Sequence, residues 1–334
     1  MAVKIGINGF GRIGRLTLRS IRQYHRDELE VVVINDLAPT RTNAHLFKWD
    51  TNYGRYQGTV SAGDGAIVVD GKTIKALAER DPAKISWKDY GVDIVIESTG
   101  LFTDATKAAA HFQGGAKKVL ISAPARNEDI TIVLGVNEDK YDPKKHRVIS
   151  NASCTTNGIA PIVKVLNDSF GIVRGLLTTV HAYTNDQAIL DMPYKDKRRG
   201  RAAAINTVPS TTGAAKALGE VVPSLKGKLH GYALRVPVPT GSITDLTFIA
   251  ARKTSVDEIN KLIKAAAAGP MKGIIEYCDE PIVSSDVIGN PASSIFDSTN
   301  TICLADDMVK VTMWYDNEWG YSNRSADLII RMAK

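Results

Sequence analysis

The stretch "VKIGINGFGRIG", residues 3–14, decides how the first half of the chain folds. Its apolar start is typical of a buried strand, and Gly9, Gly11 and Gly14 then follow the G-x-G-x-x-G spacing. Apolar residues at helical spacing continue through residues 12–24. Glycines at a strand-to-helix turn let the backbone approach a pyrophosphate, and the helix N-terminus offers N–H groups. The stretch therefore predicts a dinucleotide-binding turn.

An acidic residue closes the next apolar run, "LEVVVIND" at residues 29–36. Asp36 follows Gly14 at the distance that dinucleotide-binding folds use for the acid that binds the adenosine ribose. Its charge would repel a 2′-phosphate, so NAD is favoured over NADP. The alternative is a glycine-rich turn that binds nothing, and the acid at this spacing argues against it.

Two more apolar runs, at residues 92–100 and 117–125, end in Ser98-Thr99-Gly100 and at Ser122. Continuous Val/Ile runs indicate strands covered on both faces, as in parallel sheets. The polar residues at their ends lie where such sheets bind ligands. The first half is therefore predicted to be an α/β nucleotide-binding domain.

The pattern changes after residue 150, where long strand-like segments predominate. They cover residues 174–184, 232–252 and 307–316. Helices are expected at residues 154–169 and 254–268, the second capped by Thr254 or Ser255, and a last helix closes the chain. This pattern predicts an α+β second domain with a mainly antiparallel sheet.

The composition excludes several classes of protein. The chain has 334 residues, 44% of them hydrophobic, and a formal net charge of +6. No apolar run approaches the length of a membrane span, and the N-terminus lacks a signal-peptide pattern. Three cysteines without metal-ligand spacing fit a reducing cytosol better than a disulfide framework. The modest basic charge suits anionic ligands.

Cys154, in "SNASCTTNG", lies among small polar residues where a helix begins. It is either a small buried residue or a nucleophile whose pKa the helix N-terminus lowers. His181 ends a predicted strand, from which it could reach the thiol as a base. Cys278 and Cys303 lie in strand-like runs and are predicted to be buried core residues.

Two stretches of the second half could bind anions. "PSTTGAAKAL" places Thr212 and Gly213 at the start of a helix, which is either a phosphate site or an ordinary N-cap. "KDKRRGR", residues 195–201, is either a solvated or interface loop or a nucleic-acid contact. It lacks the interleaved aromatic residues that stack on bases, so nucleic-acid binding is not expected as the main role.

Six motifs together resemble one family. "KIGINGFGRIGR", "NASCTTNGIAP", "TTVHAYTNDQ", "PSTTGAAKA", "LRVPVPTGSITDL" and "WYDNEWGYS" have the order and spacing of phosphorylating glyceraldehyde-3-phosphate dehydrogenases. The resemblance implies a Rossmann-type NAD-binding domain over residues 1–153 and 318–334, and a catalytic domain over residues 154–317. It also implies a cytoplasmic homotetramer that acts in glycolysis and gluconeogenesis.

The resemblance assigns a role to individual residues. It makes Cys154 the nucleophile and His181 the base in oxidative phosphorylation of D-glyceraldehyde 3-phosphate to 1,3-bisphosphoglycerate through a thioester. For substrate and inorganic phosphate it implies Ser153, Thr155, Thr184, Arg201, Thr212, Gly213 and Arg235. For NAD it implies Gly9, Gly11, Arg12, Ile13, Gly14, Asp36, Arg80, Ser122, Asn317 and Tyr321. It implies no metal.

The sequence departs from the family pattern at Gly158, at residues 239–242 and at Trp319, and one close alternative accompanies the resemblance. Gly158 stands where many relatives have a second cysteine, which should lower the chance of a disulfide that inactivates Cys154. Erythrose-4-phosphate dehydrogenase is similar to this family in fold and thiol but uses no phosphate. Arg201, Thr212 and Gly213 favour the phosphorylating enzyme.

Overall fold

The computed structural model describes residues 2–334, which divide into two compact units. The first unit contains residues 2–132, 139–153 and 322–334, and the second contains residues 133–138 and 154–321. Each unit has a large sheet of its own.

The strands of the first unit form a nine-stranded sheet and a two-stranded ribbon. They are β1 (Val3–Asn8), β2 (Leu29–Asn35), β3 (Trp49–Asp50), β4 (Gly54–Arg55), β5 (Val60–Gly63), β6 (Ala66–Val69), β7 (Lys72–Leu77), β8 (Ile94–Glu97), β9 (Lys118–Ile121), β10 (Ile130–Thr131) and β11 (Val148–Ser150). The large sheet has the order β10-β11-β9-β8-β1-β2-β7-β6-β5. It is parallel from β10 to β7, and β6 and β5 add antiparallel.

The order of the parallel strands reverses at β1, which has β2 on one side and β8 on the other. Open parallel sheets bind ligands beyond the carboxyl ends of their strands at such a switch point. The last residues of these three strands are Asn8, Asn35 and Glu97. The fold of the first unit therefore confirms the predicted dinucleotide-binding architecture and marks where its ligand binds.

The strands of the second unit form a seven-stranded sheet. They are β12 (Ile172–Ala182), β13 (Val208–Thr211), β14 (Leu229–Val236), β15 (Ser242–Ala250), β16 (Ile275–Cys278), β17 (Ser294–Leu304) and β18 (Met308–Tyr315). The order is β13-β14-β12-β15-β18-β17-β16. Only β12 with β14 and β16 with β17 pair parallel in this sheet of the described chain, so the prediction of a mainly antiparallel sheet is confirmed.

Helices and 3₁₀ turns connect these strands. The α-helices are α1 (Arg12–Tyr24), α2 (Thr40–Lys48), α3 (Ala105–Ala108), α4 (Cys154–Phe170), α5 (Ala214–Val221), α6 (Val256–Ala268) and α7 (Trp319–Ala333). The 3₁₀ turns are Pro82–Lys84, Trp87–Tyr90, Ala109–Phe112, Glu138–Lys140, Pro223–Leu225 and Ser284–Val287. The division between the units falls inside α7, after Tyr321.

Local sequence signals explain the helix ends. Of the two predicted caps of α6, Ser255 is the N-cap, because its side chain accepts a hydrogen bond from the Glu258 N–H at 3.2 Å. The acids Asp257 and Glu258 lie in the first turn, where the helix dipole favours negative charge. The α7 residue Asn323 accepts a hydrogen bond from Ser20 of α1 at 2.7 Å, which ties the end of the chain to the first unit.

Some predicted strands are shorter in the structure. The run at residues 92–100 forms a strand only over Ile94–Glu97, because the Ser98 hydroxyl donates to the Gly9 carbonyl and the Thr99 N–H turns back to the Glu97 carboxylate. The long segment at residues 232–252 breaks into β14 and β15. The break contains Gly241, whose φ of 86° lies in the left-handed region that favours glycine.

Candidate active site

Cys154 is the first residue of α4 and follows a strained turn. Ala152 in that turn has a φ of 54°, a left-handed conformation that costs a non-glycine residue about 1–3 kcal/mol. The Ala152 N–H donates to the Ser150 Oγ at 3.0 Å, which helps to hold the turn. The turn places the thiol at the positive end of a 17-residue helix.

The thiol contacts an imidazole from the central part of the second sheet. The Cys154 Sγ lies 3.4 Å from the Nε2 of His181, which is near the end of β12 and is 4% exposed. A sulfur and a ring nitrogen at this distance can share a proton. The pairing that the sequence alone could not establish is therefore present.

Arg235 contacts the other side of the same ring. His181 and Arg235 are register partners on the parallel strands β12 and β14. The Arg235 Nη1 lies 2.7 Å from the His181 Nδ1 and donates to the Ala182 carbonyl at 3.0 Å. That carbonyl is also 2.7 Å from Nδ1. Nδ1 thus has one donor and one acceptor beside it, and its protonation decides which of them it can bond.

Burial controls the titration of both members of the pair. Burial raises the pKa of the Cys154 thiol, against the lowering effects of the Arg235 charge and the Thr155 hydrogen bonds. Burial, and then the Arg235 charge, lower the pKa of His181 to about 3. The expectation that the helix start leaves the thiol with a lowered pKa is therefore wrong. Each group taken alone is neutral at pH 7, and thiolate requires a proton transfer within the pair.

Tyr315 supports the site from β18. Its hydroxyl lies 3.0 Å from the Thr155 Oγ1, and its ring meets the His181 ring edge to face at 6.0 Å. A Cβ at Gly158 would lie 2.9 Å from the Tyr315 ring, so the glycine permits this close approach. The sequence indicated only a missing thiol at this position, whereas the structure shows a packing role for the missing side chain.

Three buried donors without hydrogen-bond partners lie on Gln187, Arg199 and Arg235. They are the Gln187 Nε2 and the Nε atoms of the two arginines, and none has a partner among the described residues. The Arg199 charge lowers the pKa of Arg235, behind the larger effect of burial, so the two guanidinium groups share one region. Buried donors without partners mark a place that an anionic ligand can occupy.

Arg199 was not among the residues that the sequence predicted, whereas Arg201 was. Arg199 is partly buried and its Nη1 pairs with Asp186 at 2.8 Å. The Arg201 side chain is 62% exposed and pairs with Asp191 at 2.7 Å. Sequence reasoning could not separate arginines two positions apart in an irregular loop.

The remaining predicted phosphate ligands lie on loops and helix starts of the second unit, apart from Ser153, which is in the first unit. The Thr184 N–H donates to the Gln187 Oε1 at 3.4 Å, beside the unpartnered amide nitrogen. Thr212 accepts from the Ala214 N–H at 3.2 Å, and Gly213 is the N-cap of α5. Ser153 directly precedes Cys154 in the chain. Thr212 therefore precedes the N-cap, and its hydroxyl accepts from the first N–H of α5.

Carboxylates pair with three of the five cations in the basic loop at residues 195–201. Asp196 pairs with Arg198 at 3.1 Å, and the two pairs already described bind Arg199 and Arg201. Three of its cations thus have a carboxylate partner in the same loop region. This arrangement is typical of a structured loop and not of a surface held ready for nucleic-acid phosphates.

The glycine-rich turn of the first unit has the shape that a pyrophosphate needs. Gly9 has a φ of 91°, and a Cβ there would lie 2.6 Å from the Thr99 nitrogen. A Cβ at Gly14 would lie 2.2 Å from the Gly9 oxygen, whereas one at Gly11 would meet nothing within 4 Å. Gly9 and Gly14 therefore permit the turn itself, and Gly11 leaves open space for a ligand. Helix α1 begins there without a side-chain cap.

Asp36 is held in a fixed orientation beside that turn. Its Oδ2 accepts from the Phe10 N–H at 2.8 Å, and its Oδ1 accepts from the Ala38 N–H at 2.9 Å. A carboxylate at the end of β2, next to the open helix start, fits the ribose of NAD. The residues present therefore fit the cofactor.

Arg12 and Ile13 form the first turn of α1, and the Arg12 side chain pairs with Asp50 at 2.5 Å. Arg80 is exposed on the loop after β7. Ser122 follows β9 and donates from its N–H to the Glu97 carbonyl at 3.0 Å. Arg12 and Ile13 thus lie at a helix start, and Arg80 and Ser122 follow strand ends. Nucleotide-binding residues of parallel sheets occupy such positions.

Asn317 and Tyr321 belong to the second unit. Asn317 is 4% exposed, and its Oδ1 accepts from Ser242 at 3.0 Å and from Thr240 at 3.3 Å. These bonds fix the plane of the side-chain amide. Tyr321 is 5% exposed in the first turn of α7.

Cys278 and Cys303 are only partly buried, so the prediction of core positions is wrong for both. Cys278 ends the edge strand β16, and Cys303 lies near the end of β17 between the exposed side chains of Ile302 and Leu304. Among residues 2–334 no disulfide forms, and no cluster of three metal-binding side chains was found. Within the same range, no helix combines the length and apolarity that crossing a membrane requires.

Comparisons with known proteins identify the family of the chain. Residues 3–105 match the family model of the glyceraldehyde 3-phosphate dehydrogenase NAD binding domain, and residues 153–317 match that of its C-terminal domain. The chain is 60% identical over 331 residues to glyceraldehyde-3-phosphate dehydrogenase of Streptomyces coelicolor, covering 99% of this chain and 98% of the relative. It is 59% identical over 339 residues to that of Mycobacterium tuberculosis strain H37Rv, covering 100% and 99%. The chain therefore belongs to the glyceraldehyde-3-phosphate dehydrogenase family and contains that family's NAD-binding domain.

Proposed function

We propose that this protein is a phosphorylating glyceraldehyde-3-phosphate dehydrogenase that works through a thioester on Cys154. The supporting observation is the contact of the Cys154 thiol with His181, beside buried arginine donors that lack partners. A thiol with a base makes a covalent acyl carrier, and the arginines supply sites for phosphate groups. The relatives' names point to the same activity.

The first step uses the pair as a unit. The thiol proton moves from Cys154 Sγ to His181 Nε2, and the sulfur attacks the aldehyde carbon of the substrate. The imidazolium then gives the proton to the former carbonyl oxygen, which leaves a hemithioacetal and a neutral His181. Opposite charges 3.4 Å apart attract strongly in a buried site, and this attraction offsets the burial that keeps each group neutral. The α4 dipole and the Arg235 charge add to the stabilisation of the thiolate.

Arg235 controls which nitrogen of His181 can accept that proton. While Nδ1 accepts from the Arg235 Nη1, Nε2 carries the ring proton and cannot act as a base. A substrate phosphate that draws the guanidinium away lets Nδ1–H donate to the Ala182 carbonyl, 2.7 Å away. Nε2 then has a free lone pair directed at the thiol. Binding of the anion therefore prepares the base.

The second step oxidises the hemithioacetal to a thioester. The chemistry that NAD supplies when bound is the acceptance of a hydride. His181 takes the hydroxyl proton of the hemithioacetal, and the backbone N–H groups at the start of α4 stabilise the oxyanion. The thioester keeps the acyl group activated, which a free carboxylate would not.

Phosphorolysis then releases the product. An oxygen of inorganic phosphate attacks the thioester carbon, the C–S bond breaks, and the acyl phosphate leaves as 1,3-bisphosphoglycerate with the Cys154 thiolate restored. Ser153, Thr155, Thr212 and Gly213 are proposed to bind the attacking phosphate. Thr184, Arg199 and Arg235 are proposed to bind the phosphate of the substrate, and Arg201 has a weaker claim because it is exposed.

Arg199→Ala and Arg201→Ala form a matched pair of variants that tests whether Arg199, and not Arg201, binds the phosphate of the substrate. Arg199→Ala removes a partly buried cation beside Arg235, so the KM for glyceraldehyde 3-phosphate should rise about tenfold or more. Arg201→Ala removes an exposed pair worth little, so the KM should change by less than about threefold. Steady-state kinetics with the substrate varied at saturating NAD gives both values. A larger effect of Arg201→Ala would restore the original prediction.

The cofactor roles follow the same residues in the first unit. Gly9, Gly11 and Gly14, with the backbone of Arg12 and Ile13, are proposed to bind the pyrophosphate, and Asp36 the adenosine ribose. Arg80 and Ser122 are proposed to contact the rest of the dinucleotide. In the second unit, the fixed amide of Asn317 would donate from Nδ2 to the nicotinamide carboxamide, with Tyr321 nearby.

Asp36→Ala should shift the cofactor preference toward NADP. The wild-type carboxylate, held by two N–H groups, repels a 2′-phosphate and bonds the ribose hydroxyls of NAD. Its removal should lower kcat/KM with NAD about tenfold and raise kcat/KM with NADP. Kinetics with each cofactor checks the shift. Comparable wild-type efficiency with NADP would contradict the role given to Asp36.

The larger assembly is also a proposal. We propose that residues 1–153 and 318–334 form the NAD-binding domain and residues 154–317 the catalytic domain, bounds that differ from those of the two compact units at residues 133–138 and 318–321. We propose a homotetramer, because Ile189, Leu190 and Ile205 are 83%, 76% and 79% exposed. Such apolar exposure favours burial against a second copy. We propose that the protein is cytoplasmic, because its three free cysteines suit a reducing compartment. Analytical ultracentrifugation tests the assembly, and a monomer at micromolar concentration would contradict it.

The proposed reaction is tested by NADH formation from glyceraldehyde 3-phosphate with and without inorganic phosphate. Multiple turnovers should require phosphate, because only phosphorolysis frees Cys154. Turnover at the same rate without phosphate would indicate hydrolysis of the thioester, as in erythrose-4-phosphate dehydrogenase. Repeating the assay with erythrose 4-phosphate separates the two enzymes by kcat/KM.

A further inference from the structure

Three buried polar side chains form a row across the carboxyl ends of β2, β1 and β8. Asn35 is the register partner of Asn8, and Asn8 is the register partner of Glu97. They are 4%, 2% and 2% exposed. Buried polar groups at adjacent positions must satisfy one another, since each unpaired group would cost stability. We refer to Asn35, Asn8 and Glu97 as the polar row.

Hydrogen bonds connect the polar row from end to end. Asn35 clamps Glu79 in the loop after β7, accepting from its N–H and donating to its carbonyl, both at 2.8 Å. The Asn35 Nδ2 also donates to the Asn8 Oδ1 at 2.7 Å. The Asn8 Nδ2 donates to the Glu97 Oε2 at 2.6 Å. The loop that carries Arg80 is thereby joined to the strand end at Glu97.

Four donors converge on Glu97. Its Oε1 accepts from the Thr99 N–H at 2.9 Å and from the Thr99 hydroxyl, and its Oε2 accepts from Asn8 and His111. The Trp87 indole can only donate, and its Nε1 lies 3.1 Å from the His111 Nδ1. The ring proton of His111 is therefore on Nε2 and faces Glu97. A carboxylate can accept all four bonds, whereas the O–H of a protonated acid would face one of these donors and could not bond to it.

The polar row directly adjoins the glycine-rich turn. The Ser98 hydroxyl, between Glu97 and Thr99, donates to the Gly9 carbonyl at 2.7 Å. The Thr99 nitrogen is the atom that a Cβ on Gly9 would approach to 2.6 Å. The positions of Thr99 and of the turn are thus mutually constrained. Both lie at the switch point between β1 and β8, where this fold binds its ligand.

We propose that Glu97 is a positioning residue for NAD. Its carboxylate fixes the Thr99 loop against the Gly9 turn, and through Asn8 and Asn35 it ties both to the Glu79–Arg80 loop. His111, oriented by Trp87, donates to the same carboxylate. The free protein is in this way preorganised for the dinucleotide. The proposal rests on the family's NAD-binding domain and not on the reaction proposed for Cys154.

Glu97→Gln isolates the carboxylate with little change of shape. The glutamine oxygen can still accept from Thr99, but its NH₂ group then faces the NH₂ of Asn8 and the Nε2–H of His111. If the amide is rotated by 180°, its NH₂ group instead faces the N–H and hydroxyl donors of Thr99. At least two of the four bonds are lost in either orientation, so the Thr99 loop and the row separate.

Asp297→Asn is the matched control in the second unit. Asp297 is 2% exposed and accepts from the N–H and hydroxyl of Thr299 at 3.1 and 2.6 Å. It also accepts from Asn300 at 2.8 Å and from the Trp314 indole at 3.1 Å. The control therefore removes a buried carboxylate with the same bonding pattern, away from the glycine-rich turn in sequence and in the other unit.

The test measures NAD dissociation constants by isothermal titration without substrate, for the full-length wild type and both variants. Glu97→Gln should raise the dissociation constant about tenfold or more, and Asp297→Asn should leave it within about twofold. The alkylation rate of Cys154 without NAD should match wild type in both variants. An unchanged constant in Glu97→Gln, or equal weakening in the control, overturns the proposal. A wild type that binds no NAD would instead contradict the cofactor assignment itself.

Thr99→Val keeps the test decisive if Glu97→Gln does not fold. It removes one of the four donors and keeps the size of the side chain, leaving the carboxylate buried with three partners. The NAD dissociation constant should rise about threefold to tenfold while the melting temperature changes little. Wild-type affinity in Thr99→Val would contradict a positioning role for Glu97.

Discussion

Cys154→Ser should reduce kcat/KM for oxidation of glyceraldehyde 3-phosphate by at least about a thousandfold. Serine fits the space and can still contact His181, but its hydroxyl is a far weaker nucleophile than a thiolate and would form an ester, not a thioester. The measurement is NADH formation at saturating NAD and phosphate. NAD binding should persist, since the glycine-rich turn and Asp36 are unchanged.

The two other cysteines supply controls for that variant. Cys278 and Cys303 are partly buried near strand ends, and their thiols hydrogen-bond to the backbone carbonyls of Glu280 and Thr254 at 3.5 Å. Cys278→Ser and Cys303→Ser should keep activity close to wild type. Near-normal activity in Cys154→Ser, or loss of activity in either control, would refute the assignment of the nucleophile.

His181→Asn should lower kcat by about a hundredfold to ten-thousandfold. The variant removes the group that takes the thiol proton and later the hydroxyl proton. Burial raises the pKa of the Cys154 thiol, so without an imidazole to accept the proton, thiolate forms only at higher pH. The pH midpoint for alkylation of Cys154 should therefore move upward, and alkylation at pH 7 should slow.

Iodoacetamide labelling across the pH range separates this role from simple damage to the fold. A misfolded variant would expose the thiol and restore an ordinary profile near pH 8.5. The proposed role predicts a midpoint above that of both wild type and a free thiol. A wild-type profile in His181→Asn would show that the contact seen at 3.4 Å does not activate the sulfur.

Sequence patterns predicted the fold of both units well. The G-x-G-x-x-G turn and Asp36 specify the parallel sheet because each residue type there has a steric or charge requirement. Residues 154–169 were predicted to be helical, and α4 covers Cys154–Phe170. Strand ends were less accurate, as at residues 92–100, because Ser98 bonds to Gly9, which is distant in sequence, and Thr99 turns back to the buried Glu97 carboxylate.

The active site could be predicted only where a motif carried it. Cys154 and His181 were identified, but their contact depends on the register of β12 in the sheet, which no local pattern encodes. The titration of the pair went in the opposite direction to the prediction, because burial outweighs the helix dipole and burial is a tertiary property. Arg199 was missed for a similar reason, since a loop has no periodicity to show which arginine is directed inward.

Gly158 and Glu97 are two further residues whose structural roles could not be predicted from the local sequence. The sequence indicated only the absence of a second cysteine at Gly158. It indicated no role for Glu97, which is one residue of the apolar run at 92–100. Their roles depend on Tyr315, 157 positions after Gly158, and on His111 and Asn8. Contacts between distant segments give these residues their function, and only the folded chain shows them.

Peptide mass analysis of the enzyme after reaction without phosphate tests the central claim most directly. The protein is mixed with glyceraldehyde 3-phosphate and NAD, quenched in acid and digested. The account predicts one equivalent of a phosphoglyceroyl group on the peptide containing Cys154, and its loss when inorganic phosphate is added before the quench. NADH formation with no acyl group on that peptide, or with the group on another residue, would contradict it.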